Sequence, residues 1–262
     1  MIRRLFFLIS LPIVFTSYTA PDWGQTGHRV IGLVAEQHLT QQTQAVISDL
    51  QEGESLAFVT TFGDEIRSIK DYKHFDPWHY VNMPLDNRYG EEAPNPKGDV
   101  YHAVNHCAGV LQDANASRED KAFYLRLLVH FVGDLHQPMH VGRSEDRGGN
   151  DIKVLWYGKK SNLHRVWDSE MINEYQMSYS ELADNLPIYT SAEQDAIMNM
   201  TVLDWVHESQ SHAKQIYGSV EQDERLSYAY QQKHFPLVRE RLYKGGLRLA
   251  KLLNDIFDPS ED

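Results

Sequence analysis

Cysteine is nearly missing: the 262 residues contain one, Cys107, so no disulfide can form within the chain, and something other than sulfur must stiffen the fold. Positive charge is also scarce. Lys and Arg number 25 against 37 Asp and Glu, for a formal net charge of -12. That balance excludes the broad basic surface of a protein gripping duplex nucleic acid through many phosphates. It leaves room for an enzyme whose local positive charge comes from bound metal. A long membrane span is lacking too. Residues 5–15 are mostly apolar, follow Arg3 and Arg4, and give way to small and polar residues up to Ala20. A bilayer takes about 20 apolar residues, so this reads as a secretory signal and not as a stable membrane anchor. Residues 1–22 are therefore set apart as a signal peptide cleaved between positions 20 and 22. The expected product is one exported domain over 23–262, secreted or periplasmic, with no protein partner implied.

What is present favours a folded, helical chain. Hydrophobic residues make up 42%, enough for a core at this length. Apolar positions recur at helical spacing over 30–39, 100–111, 122–135, 192–216 and 237–256. The stretch "DIKVLWYGKKSNLHRVWD" instead alternates through Ile152, Val154 and Trp156, turns at Gly158 and resumes, which reads as a β-hairpin near 151–166. Residues 84–99, with three prolines and two glycines, read as a long surface loop and a candidate wall or lid for a site. The expected fold class is all-α: a single mainly helical domain carrying one small hairpin.

The chemistry concentrates in "HFVGDLHQPMH", residues 130–140. On a helix, His130 and Asp134 share one face, with roughly 5–6 Å between their Cβ atoms. Pro138 interrupts the helix and frees His140 to reach a second position. The same four-residue spacing recurs in His164 and Asp168. Upstream, "WGQTGH" supplies His28, "TTFGDEIR" supplies Asp64 and "WHYVNMP" supplies His79. Imidazole with carboxylate suits zinc, with manganese, iron and nickel open on ligand type alone.

These motifs, in this order, resemble the trinuclear-zinc single-strand nucleases, the S1/P1 family. The likeness runs through Trp23-Gly-x-x-Gly-His28, Asp64-x-x-Arg67, His79, the 130–140 segment, Gly-Gly-Asn150-Asp151, His164-x-x-x-Trp167-Asp168, "WVHES" and "GGLRLAKLLN". It implies a helical fold shared with zinc phospholipases C, and three Zn2+ in one cleft. Asp64, His79, His130 and Asp134 would hold the first ion, and His140, His164 and Asp168 the second. The third would fall to the Trp23 backbone, His28 and Asp134, with Asp134 bridging the first and third. The implied activity is endonucleolytic cleavage of single-stranded DNA and RNA to 5′-phosphate products, with hydrolysis of 3′-nucleotides. A zinc phospholipase C is the rival on the same fold. Asp64 and Arg67 would serve catalysis, Arg67 by stabilising charge on the phosphoryl oxygens. Tyr80, Asn82 and Asn150 would meet substrate, and His136 would support the ligands.

Two departures stand out. Fungal relatives carry an aspartate at the position of Asn82, and an amide both donates and accepts, so base preference is expected to differ. In the family, tryptophan is the free amino terminus. Here Pro21 and Asp22 precede Trp23, which makes the third ion depend on where the signal is cut.

Ligands spread over 23–168 would cross-link the chain through metal in place of sulfur. Prolonged chelation is expected to lower the melting temperature along with activity. An unchanged melting curve after verified metal removal would contradict this.

Overall fold

The computed structural model describes residues 23–259; the expected signal segment, 1–22, lies outside them. The organising element is a helix, Arg118–His136. It starts where the Ser117 hydroxyl accepts from the Asp120 N–H, with Glu119 and Asp120 in the first turn, where carboxylates suit the positive end of the helix dipole. From Leu127 to His136 every residue is buried. A helix enclosed all round belongs to the core, and its polar members His130, Asp134 and His136 must then find partners inside. Against it pack the helices Gln25–Gln37, Val100–Gln112 and Tyr228–Phe257.

The helical stretches expected from periodicity are present, with one division. Residues 192–216 form two helices, Ser191–Met198 and Val202–Tyr217. Thr201 and Asp204 make a reciprocal capping box, which starts a new helix. The hairpin pairs β1, Lys153–Trp156, with β2, Lys159–Asn162, antiparallel. Its two turn residues, Tyr157 and Gly158, have φ of 46° and 81°, the left-handed pair of a two-residue primed turn. The hairpin turns out to be part of a three-stranded sheet: β3, Glu224–Leu226, lies parallel to β1 on its other side. Three residues are too short a run for alternation to announce.

The buried end of the central helix needs special provision, because the last carbonyls of a helix have no partners within it. Pro138, starting the 3-10 turn Pro138–Val141, has no N–H to offer. The Ser209 hydroxyl donates to the Leu135 carbonyl at 2.6 Å, and Arg241 Nε donates to the His136 carbonyl at 3.1 Å. Arg241 also donates to Ser209 and Glu208, while Arg248 donates to Glu208 and to His136 Nε2. Both arginines are fully buried, and two cations suit the negative end of the helix. His136 gives its Nδ1 proton to the Val132 carbonyl. Burial, then Arg241 and Arg248, hold its pKa well below 6.5, so the ring is neutral and supports the helix end.

Glu208 neutralises this pair. Burial opposes its charge, but Arg241 and Arg248 outweigh burial and hold the carboxyl below its ordinary 4.5. A carboxylate with a depressed folded pKa stabilises above its unfolded pKa, and loses that contribution as pH falls through the folded value. Glu208→Gln should therefore cost about 3–5 kcal/mol at neutral pH, since it strands two buried cations. The deficit should shrink as pH drops below the carboxylate range. Melting curves of both proteins across pH check this, and equal curves at neutral pH would refute it.

Candidate metal centre

Asp134 sits at the centre of the convergence, fully buried. One oxygen, Oδ2, lies 2.9 Å from His79 Nδ1 and 3.2 Å from His130 Nε2. The other, Oδ1, lies 3.3 Å from His140 Nδ1 and 3.4 Å from His28 Nε2. One carboxylate thus faces four imidazoles that come from four separate elements. His130 Nε2 is also 3.9 Å from Asp64, and His140 Nε2 is 3.6 Å from Asp168. Ligand atoms converge within 4.8 Å in three sets: His28 with His130 and Asp134, Asp64 with His79 and His130, and His140 with His164 and Asp168. All eight side chains expected to bind metal are therefore gathered.

Backbone carbonyls aim the rings. His130 Nδ1 donates to Thr60, His140 Nδ1 to His79 and His164 Nδ1 to Gly148, at 2.7, 2.9 and 2.8 Å. Each anchor fixes a tautomer and leaves Nε2 turned inward, as metal-ligating histidines require. Among the described residues, His28 Nδ1 and Nε2 and Asp134 Oδ1 are buried without a hydrogen-bond partner, which costs free energy unless a cation completes them. Charges answer each other within the cluster. Burial opposes the charged form of His130, yet Asp134 and Asp64 raise its pKa to about 9. Burial works against Asp134 too, but His130 and His140 hold it well below 3.8. Donor set, aim and unmet atoms all fit zinc.

Local structure explains how each ligand arrives. Asp64 lies on the short helix Phe62–Ile66, and His79 ends a 3-10 stretch, Lys70–His79. Asp168 lies in a single π-helical segment, Val166–Glu170, directly after the turn Leu163–Arg165 bearing His164. Segments of this kind are common at functional sites. The Asp168 carbonyl accepts from the Gly24 N–H at 2.8 Å, bringing the buried Trp23 backbone beside the cluster. Two motif glycines have a packing reason. A Cβ on Gly63 would collide with the His130 ring, and one on Gly133 would stand 2.6 Å from His28 Nδ1.

The remaining expected residues divide. Arg67 lies one turn after Asp64, 3.4 Å from its carboxylate and 33% exposed. Tyr80, 39% exposed, and Asn82 line a cavity of about 370 Å³ walled by Arg88, Tyr89 and Asn95 of the 84–99 loop. The Val81 N–H donates to the His140 carbonyl, so this cavity borders the metal ligands. Asn150 instead donates its side-chain amide to the Arg147 carbonyl, a turn-forming role. A fourth convergence, Glu208, His212 and Glu240, is claimed by Arg241, Lys244 and Arg248.

The family model described as S1/P1 Nuclease matches residues 23–258. The chain belongs to the S1/P1 nuclease family. It is accordingly a metal-binding phosphodiesterase. Endonuclease 4 of Arabidopsis thaliana is 31% identical, covering 90% of this chain and 89% of the relative. Nuclease S1 of Aspergillus oryzae is 26% identical over 88% of this chain and 91% of its own length. Among solved structures, the alpha-toxin of Clostridium perfringens aligns over 90% of this chain and 64% of its own, at 15% identity and a TM-score of 0.47. In this S1/P1 nuclease the Glu208, Arg241 and Arg248 group gives the "WVHES" and "GGLRLAKLLN" motifs a physical role. Sequence reading left them unassigned because no spacing ties residue 208 to 241.

Gly133→Ala should push the His28 ring aside without touching a ligand atom by name. We expect the metal content of this S1/P1 nuclease to fall and kcat/KM to drop on the order of 10²-fold, the scale of a 1 Å misplacement. Elemental analysis and kinetics read both; a variant with wild-type metal content and activity would disprove the packing argument.

Proposed function

We propose that this chain is an exported trinuclear-zinc endonuclease that cleaves single-stranded DNA and RNA to 5′-phosphate products and also hydrolyses 3′-nucleotides. The observation that carries the reading is the convergence of three neighbouring His/Asp sets, joined through the contacts of His79, His130 and His140 with the buried Asp134 carboxylate, beside a cavity with aromatic walls. Asp64, His79, His130 and Asp134 would hold one zinc, His140, His164 and Asp168 a second, and the Trp23 backbone, His28 and Asp134 a third. When bound, the ions supply positive charge for the phosphodiester and lower the pKa of water toward neutrality. Export by the 1–22 signal, to a secreted or periplasmic location, belongs to the same proposal. Among the described residues no helix is long and apolar enough to cross a membrane.

The chain's own groups do the positioning. Arg67 supplies a fixed cation beside Asp64 for the phosphoryl oxygens. Tyr80 offers a ring face for stacking a base, and Asn82 offers both a donor and an acceptor for its edge. A single strand can splay a base into the cavity while bending its phosphate to the buried cluster, whereas a stiff duplex holds its bases stacked.

The test is turnover of zinc-loaded protein on single-stranded DNA, duplex DNA, a 3′-nucleotide and phosphatidylcholine. Cleavage of the single strand and the 3′-nucleotide is expected, with Arg67→Ala lowering kcat by about 10²–10³. Preferential lipid hydrolysis would replace this reading with that of a phospholipase C.

A further inference from the structure

Between residues 153 and 165 the chain carries Lys153, Lys159, Lys160 and Arg165 and no Asp or Glu, within a protein of net charge -12. Two of these cations are engaged: Lys153 donates to the Asn150 carbonyl, and Arg165 pairs with Glu170 at 3.1 Å. Lys159 and Lys160 are both exposed on β2, the edge of the sheet. Neither lysine side chain makes a hydrogen bond or close ion pair with the described residues; only their backbones are engaged, in the ladder with β1. The acid that senses Lys159, Glu170, is already held by Arg165 and Ser161.

The placement of this pair matters as much as its charge. β2 ends at Asn162, whose side chain caps the turn Leu163–Arg165, so the strand runs straight into the segment bearing His164. Lys160 lies four positions before His164, at most ~14 Å of extended chain. At the hairpin turn, Tyr157 is met edge-on by Tyr228 at 4.8 Å, and Tyr228 is 76% exposed. Cations on the strand and an open aromatic ring at its turn are the two kinds of group that track a single strand, with phosphates on the cations and a base on the ring. The Tyr80 cavity is formed by other elements, residues 80–99 with Ser144.

We propose that Lys159 and Lys160 form a docking edge for the phosphate backbone of a polynucleotide strand lying across the metal groups, beyond the nucleotide being cleaved. This rests on the nuclease reading above and adds a requirement of its own: the edge serves long strands and is idle for mononucleotides. The competing explanation is that the lysines only keep an exposed sheet edge from pairing with another chain.

The experiment compares zinc-loaded wild-type protein with the double variant Lys159→Gln, Lys160→Gln on a long single-stranded DNA and on a 3′-nucleotide, across salt concentrations. For the long strand at low salt, kcat/KM should fall roughly tenfold, and its logarithmic salt slope should become shallower by about 1.4, at ~0.7 per phosphate contact. Turnover of the 3′-nucleotide should not change. An unchanged long-strand rate and salt slope would overturn the proposal and leave the lysines as edge protection. An equal fall on both substrates would also overturn it, since the hairpin would then be acting through His164. Failure of the wild-type protein on both substrates would instead defeat the nuclease reading itself.

Discussion

A carboxylate buried at the junction of four imidazoles, Asp134 against His28, His79, His130 and His140, is the constraint around which this molecule is arranged. Isolated in the interior, such a charge would be prohibitively expensive. Here imidazoles stand against both oxygens, and although burial opposes it, Asp134 with Asp64 raises the His130 pKa to about 9. The cluster is a set of opposed charges whose donor atoms suit a cation. Its eight side chains come from seven separate elements, His130 and Asp134 sharing the central helix.

Holding those elements still is the work of the scaffold. Three ring orientations are fixed by main-chain carbonyls, of Thr60, His79 and Gly148, which cannot drift as a flexible side chain can. The central helix ends inside the protein because Ser209 and Arg241 take up its last carbonyls. That ending in turn sets the 3-10 turn carrying His140. Where a disulfide-poor chain needs cross-links, a core helix capped by buried arginines and a multidentate centre are a physical substitute.

Charge is partitioned in a way that suits a polyanionic substrate. The exterior is acidic on balance, so phosphate is discouraged from most of the surface. Cationic groups near the ligands are Arg67 beside Asp64 and the lysines of β2, on a stretch, 153–165, without Asp or Glu. The cavity with Tyr80 and Tyr89 borders the ligands, and the lysines of β2 lie on the strand that runs into the segment bearing His164.

Much of this was legible in the residues alone. Helical periodicity marked the long helices, and alternation with a glycine turn marked the hairpin, because both signals live within a dozen neighbouring residues. His130 with Asp134 and His164 with Asp168 could be paired for the same reason: four-residue spacing puts them on one face. The sequence by itself determined the donor inventory and, through the motifs that resemble the S1/P1 nucleases, the order of its members. Only the tertiary structure decided that Asp134 faces His28 with one oxygen and His79 with the other, that Thr201 splits 192–216, that residues 224–226 add a strand, and that Glu208 meets Arg241 and Arg248. Those are contacts between segments far apart in the chain. Nothing in local spacing encodes them, because they are chosen by which faces can be buried together at once.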